Sequence, residues 1–223
     1  MQKDNKQTKS YWLEFENFSS NSTLIENIQT EVCIVGAGIA GMTTAYLLTK
    51  QGKDVVVVDM KSIAKGETCR TTAQITSELD ERYYNLESIH GLDNTKLVAE
   101  SQKKALDKIE EIVKIENIDC DFERVNAYLF TPPGEDYSEL SKEFEACKKV
   151  DIPATLNDTS PVKSFNMGKN LCFTNQAQFN PLKYLQGLEK AILQNGGRIF
   201  TNTKIRDIKN GEIITITTEN NDQ

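Results

Sequence analysis

A glycine-rich turn between two apolar runs constrains this sequence more than any other feature. A predicted strand begins at Glu31, and its apolar run VCIV leads into Gly36–Gly41, whose sequence is GAGIAG; a second predicted strand, DVVVVD, covers Asp54–Asp59. Runs of this kind are typical of strands that are buried on both faces of a sheet. The residues between them, Ile39–Gln51, predict a helix that ends at Gly52. The order strand, helix, strand predicts a βαβ unit with a right-handed crossover.

The spacing within this unit predicts a dinucleotide site. Gly36 permits the tight turn, Gly38 lets the backbone approach a pyrophosphate, and Gly41 allows close packing of the helix on the sheet. The helix N-terminus offers free N–H groups and a partial positive charge to phosphates. Asp59 is positioned to accept hydrogen bonds from ribose hydroxyls, which favours FAD or NAD over the 2′-phosphate of NADP. The alternatives are a glycine turn in another α/β fold and a solvated aspartate at a strand end.

The rest of the chain does not continue as a simple series of βα units. We predict a polar loop at 61–80, helices at 92–116, 138–150 and 181–194, extended segments at 121–131, 171–173, 198–201 and 212–218, and a hairpin turn at 210–211. A nicotinamide-binding Rossmann domain would continue directly with further βα units. The interruption favours a flavoprotein layout with a second domain inserted into the first.

The predicted fold class is therefore α/β. It consists of a Rossmann-like FAD/NAD(P)-binding domain with a parallel sheet, plus the beginning of an inserted α+β substrate domain. The predicted organisation is an N-terminal leader at 1–30, the first part of the FAD-binding domain at 31–120, the start of the substrate domain at 121–180, and a return to the FAD-binding domain at 181–223. Trp12, Leu13 and Phe15 are a small apolar anchor by which the leader is expected to pack on the domain.

Composition and charge argue against several classes of binding partner and location. The net charge of −7, without a basic stripe, argues against a nucleic-acid partner. No apolar stretch approaches the ~20 residues of a membrane span, and the polar amino terminus does not resemble a secretory signal. Five cysteines without a CxxC pair are typical of reduced thiols in a cytoplasmic protein. The single histidine, His90, is interpreted as a surface residue of a loop, and no metal site is expected.

Two segments resemble a known family. Residues 30–60, TEVCIVGAGIAGMTTAYLLTKQGKDVVVVDM, resemble the opening of the D-amino-acid-oxidase-like (DAO) FAD-dependent oxidoreductases. Residues 66–76, GETCRTTAQIT, are similar to the G-x-T-x-R-T-T-A signature of a branch that also carries a C-terminal Rieske [2Fe–2S] domain. Residues 179–185, the pair Gly196-Gly197 and residues 203–205 match the family in order and spacing.

The resemblance implies FAD as the cofactor and hydride transfer from a small-molecule substrate to the flavin. It places the segment from Gly66 to Thr72 along the pyrophosphate and ribityl chain, with a Thr-rich surface loop as the alternative. It also places Ile205 on a strand that contacts adenine, although a core role is equally consistent. No catalytic residue and no particular substrate is predicted. The candidate cofactor-binding residues are Gly36, Gly38, Ile39, Ala40, Gly41, Asp59, Met60, Lys61, Gly66, Thr68, Arg70, Thr71, Thr72 and Ile205.

The family's later segments, which would follow Thr218, do not occur in this sequence, nor do the Cys-x-His and Cys-x-x-His ligand pairs of a Rieske cluster. We therefore expect the chain to be the N-terminal portion of a larger flavoprotein, and the resemblance implies a Rieske domain as its partner there. Two other functions remain open at this point. They are a non-catalytic dinucleotide-binding module and an NAD-binding dehydrogenase domain.

Overall fold

The computed structural model describes residues 9–19, 22–132 and 134–219, which form two compact units. The first unit combines residues up to Thr72 with 116–120 and 180 onward, and the second combines 73–115 with 121–179. Residues 73–115, which the sequence analysis places in the FAD-binding part, thus group with the second unit. The helices and strands are β1 (Val32–Val35), α1 (Ile39–Lys50), β2 (Val55–Val58), β3 (Gln74–Ile75), α2 (Tyr83–His90), α3 (Leu92–Ile115), β4 (Glu123–Phe130), α4 (Ser138–Lys149), β5 (Ala154–Asn157), β6 (Asn170–Gln178), α5 (Pro181–Gln194), β7 (Arg198–Phe200), β8 (Ile205–Lys209) and β9 (Thr215–Thr218).

The first unit contains the predicted βαβ arrangement. Its parallel sheet has the order β1-β2-β7, and β2 is the central strand. All four valines of β2 are buried, which explains why this strand is a continuous apolar run rather than an alternating one. Helix α1 packs against β2 and α5. The parallel pairing of β1 and β2 confirms the fold class that the sequence predicts.

Helix α5 begins and ends where the sequence predicts. The side chain of Asn180 accepts hydrogen bonds from the backbone N–H groups of Leu182 at 3.1 Å and Lys183 at 3.2 Å. Pro181 occupies the first turn, where its missing N–H costs no helical hydrogen bond. These two local signals fix the start of the helix. Its buried face consists mainly of Leu182, Tyr184, Leu185, Leu188 and Ile192.

The second unit is built on an antiparallel sheet centred on β6, with β4 along one edge and both β3 and β5 along the other. The predicted strand at 171–173 is therefore too short, and β3 and β5 are absent from the prediction. In the first unit, β8 and β9 form the predicted hairpin. Its loop spans 210–214 rather than the two residues Asn210-Gly211, so residues 212–214 lie outside the strand.

Helix α2 is a correction to the sequence analysis, because His90 is its last residue and not part of a loop. The helix begins after Arg82, a non-glycine residue at φ 64°, whose side chain provides no cap. The cap comes instead from Glu143 of α4, which is fully buried. Its carboxylate accepts hydrogen bonds from the backbone N–H groups of Tyr83 at 3.0 Å and Tyr84 at 3.2 Å. A carboxylate at a helix N-terminus also complements the helix dipole.

Burial raises the pKa of Glu143 above its ordinary value of 4.5, and the hydrogen bonds from Tyr83 and Tyr84 oppose that rise only in part. Because the folded state then binds this proton more tightly than the unfolded state, the free energy of unfolding falls as pH rises through the window above 4.5. We expect Glu143→Gln to remove this contribution, which is at most about 1.4 kcal/mol per pH unit. Glu145→Gln, at an exposed position on the same helix, is the control. Urea unfolding across this pH range measures the effect, and equal slopes in wild type and Glu143→Gln would contradict it.

Among the described residues, no helix is both long enough and apolar enough to cross a lipid bilayer. The five cysteines, Cys33, Cys69, Cys120, Cys147 and Cys172, are all free thiols, and all but Cys33 are buried. Burial raises the pKa of the Cys33 thiol and raises the pKa of Cys147 to about 12. These two thiols are therefore poor nucleophiles at neutral pH.

Candidate functional site

The chain turns sharply between β1 and α1, at the position where the sequence predicts a dinucleotide site. We call residues 36–41 the glycine corner. Gly36 adopts φ +112°, a conformation that side chains strongly disfavour. Its backbone N–H donates to the carbonyl of Val58 at 2.7 Å, which ties the turn to the end of β2. The sequence prediction that Gly36 is required for the turn agrees with this backbone conformation.

Gly41 lies where α1 passes closest to the turn. A Cβ atom at this position would be 1.9 Å from the carbonyl oxygen of Gly36 and 3.3 Å from Cγ2 of Ile34. The first of these contacts is with backbone, which cannot move aside without opening the turn. Only glycine therefore allows the helix to start this close to the end of β1.

Gly38 is required for space rather than for backbone conformation. Its φ of −89° and ψ of −173° are extended values that any residue can adopt. A Cβ atom here would approach Oγ1 of Thr68 to 3.1 Å. The same hydroxyl accepts a hydrogen bond from the backbone N–H of Ile39 at 3.2 Å. Thr68 and the start of α1 thus meet directly over Gly38.

The N-terminus of α1 has the properties of an anion site. Across the described ranges, the backbone N–H groups of Ala40 and Gly41 donate to no protein acceptor. Unpaired amides at the positive end of a helix are ready to bind phosphate oxygens. The side chains of residues 36–41 are apolar or absent, so the corner offers binding and orientation but no acid or base. A pyrophosphate group fits this donor set.

Asp59 follows β2 and points at the glycine corner. Its Oδ2 accepts a hydrogen bond from the backbone N–H of Ala37 at 2.7 Å, and its Oδ1 accepts one from the backbone N–H of Lys61 at 2.7 Å. Its own backbone N–H donates to the carbonyl of Phe200 on β7 at 2.9 Å. Each carboxylate oxygen can still accept a second hydrogen bond. The carboxylate therefore holds the turn in shape and retains acceptor capacity for a ribose hydroxyl. Its contacts with Ala37 and Lys61 are not foreseen by the sequence.

The segment from Lys65 to Thr72, which we call the cofactor loop, contains a 3₁₀ turn at Glu67–Arg70. Thr68 is buried within it and reaches the glycine corner. The side chain of Arg70 is 67% exposed and pairs with Glu67 at 3.2 Å, and its contact with a phosphate stays a prediction. Gly66 and Thr72 are exposed as well. Of this segment, Thr68 hydrogen-bonds directly to the corner.

Two further candidate residues, Met60 and Ile205, follow β2 and begin β8. Met60 is 55% exposed directly after Asp59. Ile205 is half-buried at the start of β8, where it pairs with Thr218 of the separate two-stranded sheet. Trp12, which the sequence analysis treats only as an apolar anchor, donates its indole N–H to the carbonyl of Thr71 at 2.8 Å. The only sequence signal for this role of Trp12 is that it is the single tryptophan of the chain and lies in a mostly polar leader.

Comparison with known proteins gives the family. Residues 31–223 match the family of FAD dependent oxidoreductases, DAO. The chain is 37% identical over 206 residues to the "Putative Rieske 2Fe-2S iron-sulfur protein YhfW" of Bacillus subtilis, covering 92% of this chain and 40% of the relative. It is 25% identical over 208 residues to gamma-glutamylputrescine oxidoreductase of Escherichia coli, covering 91% of this chain and 49% of the relative.

The fold also matches that of solved structures. L-amino acid deaminase from Proteus vulgaris superposes with a TM-score of 0.70 at 19% sequence identity, over 92% of this chain and 47% of the other. The chain thus spans about half the length, or less, of the relatives it matches. The family match covers the glycine corner, Asp59, the cofactor loop and the β8–β9 hairpin together. The chain therefore belongs to the DAO family of FAD-dependent oxidoreductases.

Proposed function

We propose that this chain forms the FAD-holding part of an oxidoreductase that oxidises a small substrate. The observation that carries the proposal is the open backbone at the N-terminus of α1, with Asp59 directed at the same corner. Bound FAD supplies the hydride acceptor, which no protein side chain can provide. The first compact unit is the FAD-binding domain in this proposal, and the second is the start of the substrate domain.

Each group of residues has a distinct task in this proposal. The amides of Ala40 and Gly41 bind the pyrophosphate, since they are free and lie at the positive end of the helix. Asp59 accepts from a ribose hydroxyl, and Thr68 contacts the phosphate or ribityl chain. The remaining candidates are ranked second, because the family resemblance is their main support. They are Gly66, Arg70, Thr71, Thr72, Met60, Lys61 and Ile205.

The relatives suggest the kind of chemistry. One is named as an oxidoreductase of gamma-glutamylputrescine and another as a deaminase of L-amino acids. Both names describe small molecules that carry an amine nitrogen, so we propose a small amine or amino acid as the substrate class. The Rieske relative supports a Rieske domain as an electron-transfer partner within the full protein. The free cysteines support a reducing, cytoplasmic location.

The absorption spectrum of the full protein that carries this chain tests the proposal. We expect the two bands of oxidised flavin in the near-ultraviolet and blue, and bleaching of the blue band by a suitable amine or by dithionite. A colourless protein that NAD stabilises against heat would favour the NAD-binding alternative. A yellow protein whose flavin is bleached by dithionite, but by none of a panel of amines and amino acids, would favour the non-catalytic alternative.

A further inference from the structure

The N-terminal segment 10–19, which we call the strap, packs against α5 and forms hydrogen bonds with it. The carbonyl of Phe15 accepts a hydrogen bond from the side chain of Gln186, and the Nζ of Lys183 lies 5.3 Å from the centre of the Phe15 ring. The backbone N–H of Ser19 lies 3.1 and 3.2 Å from the two carboxylate oxygens of Glu189, a residue only 4% exposed. These contacts anchor the strap independently of the cofactor loop.

The strap also contacts the cofactor loop near both of its ends, through a hydrogen bond and an ion pair. Trp12 donates to the carbonyl of Thr71 at 2.8 Å, where the loop ends. Glu16 pairs with Lys65 at 2.5 Å, where the loop begins. The two contacts bracket the 3₁₀ turn that carries Thr68. A segment that touches both ends of a short turn restricts where the middle of that turn can lie.

The cofactor loop has few hydrogen bonds of its own: the backbone N–H of Cys69 donates to the carbonyl of Ala64 at 3.2 Å, and its thiol donates to the carbonyl of Gly66 at 3.3 Å. A single 3₁₀ turn has poor hydrogen-bond geometry and does not hold itself in place. At its start, the backbone N–H of Ala64 donates to the carbonyl of Ala37 at 3.0 Å. In its middle, Thr68 accepts from the N–H of Ile39. At its end, the bond to Trp12 fixes the backbone three residues after Thr68. Without that bond, the position of the Thr68 hydroxyl at the helix N-terminus depends on its own contact with Ile39 and on the backbone bonds around Ala64.

We propose that Trp12 is a positioning residue for FAD: its indole N–H fixes Thr71 and so keeps Thr68 at the N-terminus of α1, which slows release of the dinucleotide. This inference rests on the proposed function, because it assumes that FAD lies at the glycine corner. Trp12 itself need not touch the cofactor. It acts through the backbone of the cofactor loop, and Glu16 supports the same loop from its other end.

The test is the rate of FAD release from the full protein. Trp12→Phe keeps an aromatic ring in the strap but removes the N–H donor. We expect FAD to dissociate about fivefold faster, the ratio that corresponds to losing one net hydrogen bond. Tyr11→Phe is the matched control, because it removes one polar group from the adjacent ring, which is 62% exposed. Glu16→Gln, a surface change that does not threaten folding, should act in the same direction with a smaller effect.

A double-mutant cycle separates positioning from general destabilisation. Thr68→Val cannot accept the hydrogen bond from Ile39, so Trp12→Phe should add little to FAD release in that background. A role confined to strap stability would instead lower the melting temperature of the apoprotein and give additive effects on release. Additive effects, or a wild-type release rate in both Trp12→Phe and Glu16→Gln, would overturn the inference while leaving the FAD proposal intact. A wild-type protein that binds no FAD would overturn both.

Discussion

Gly41→Ala is expected to destabilise the first compact unit by about 3 kcal/mol or more, a cost at the upper end of that for overpacked sites. The added Cβ would lie 1.9 Å from the carbonyl oxygen of Gly36, far inside van der Waals contact. Relief requires either that α1 moves away from β1 or that the turn opens. Opening the turn would also break the 2.7 Å hydrogen bond between Gly36 and Val58. A single methyl group therefore disturbs the helix, the turn and the sheet together.

The measurement is the urea midpoint of unfolding of the full protein, followed by circular dichroism. Thr44→Ala is the control, because Thr44 is an exposed residue one turn further along the same helix. Its effect should stay within about 0.5 kcal/mol, as is usual for exposed surface sites. If Gly41→Ala unfolded at the wild-type urea concentration, the close approach of α1 to Gly36 would be wrong.

Local signals were sufficient to predict the βαβ unit and α5. The valine run of β2 is buried throughout, and Asn180 followed by Pro181 marks the start of α5. Both signals act between residues that are neighbours in the chain. The glycine corner is predictable for the same reason, since each glycine's role follows from its place between a strand and a helix.

Features that depend on distant contacts were not predictable. Helix α2 relies on a cap from Glu143, 60 residues further along the chain than Tyr83. Strands β3 and β5 are short, and pairing with β6 defines them. The bond from Trp12 to Thr71 joins residues 59 apart in the sequence. No local sequence pattern indicates which distant residue will form such a contact. The residues of the cofactor loop were therefore predictable, but their contacts with the strap were not.

Gly38→Val is expected to weaken FAD binding roughly 100-fold or more without straining the backbone, which sets it apart from Gly41→Ala. The backbone of Gly38 has φ −89° and ψ −173°, values that valine adopts readily. The new side chain instead occupies the space between the helix N-terminus and Thr68. A pyrophosphate could then no longer reach the free amides of Ala40 and Gly41. Losing two charge-assisted hydrogen bonds of about 1.5 kcal/mol each corresponds to roughly a 100-fold weaker affinity or more.

A graded series tests whether steric exclusion is the cause. Gly38→Ala places only a Cβ at 3.1 Å from the Thr68 hydroxyl, a tight contact that a shift of a few tenths of an ångström relieves. Its affinity for FAD, measured by quenching of flavin fluorescence in the full protein, should therefore fall less than that of Gly38→Val. The Gly38→Ala apoprotein should melt close to the wild-type temperature, and the Gly38→Val apoprotein somewhat lower, because the larger side chain displaces the buried Thr68. Stoichiometric FAD in purified Gly38→Val would place the cofactor elsewhere, since no pyrophosphate can share this corner with a branched side chain.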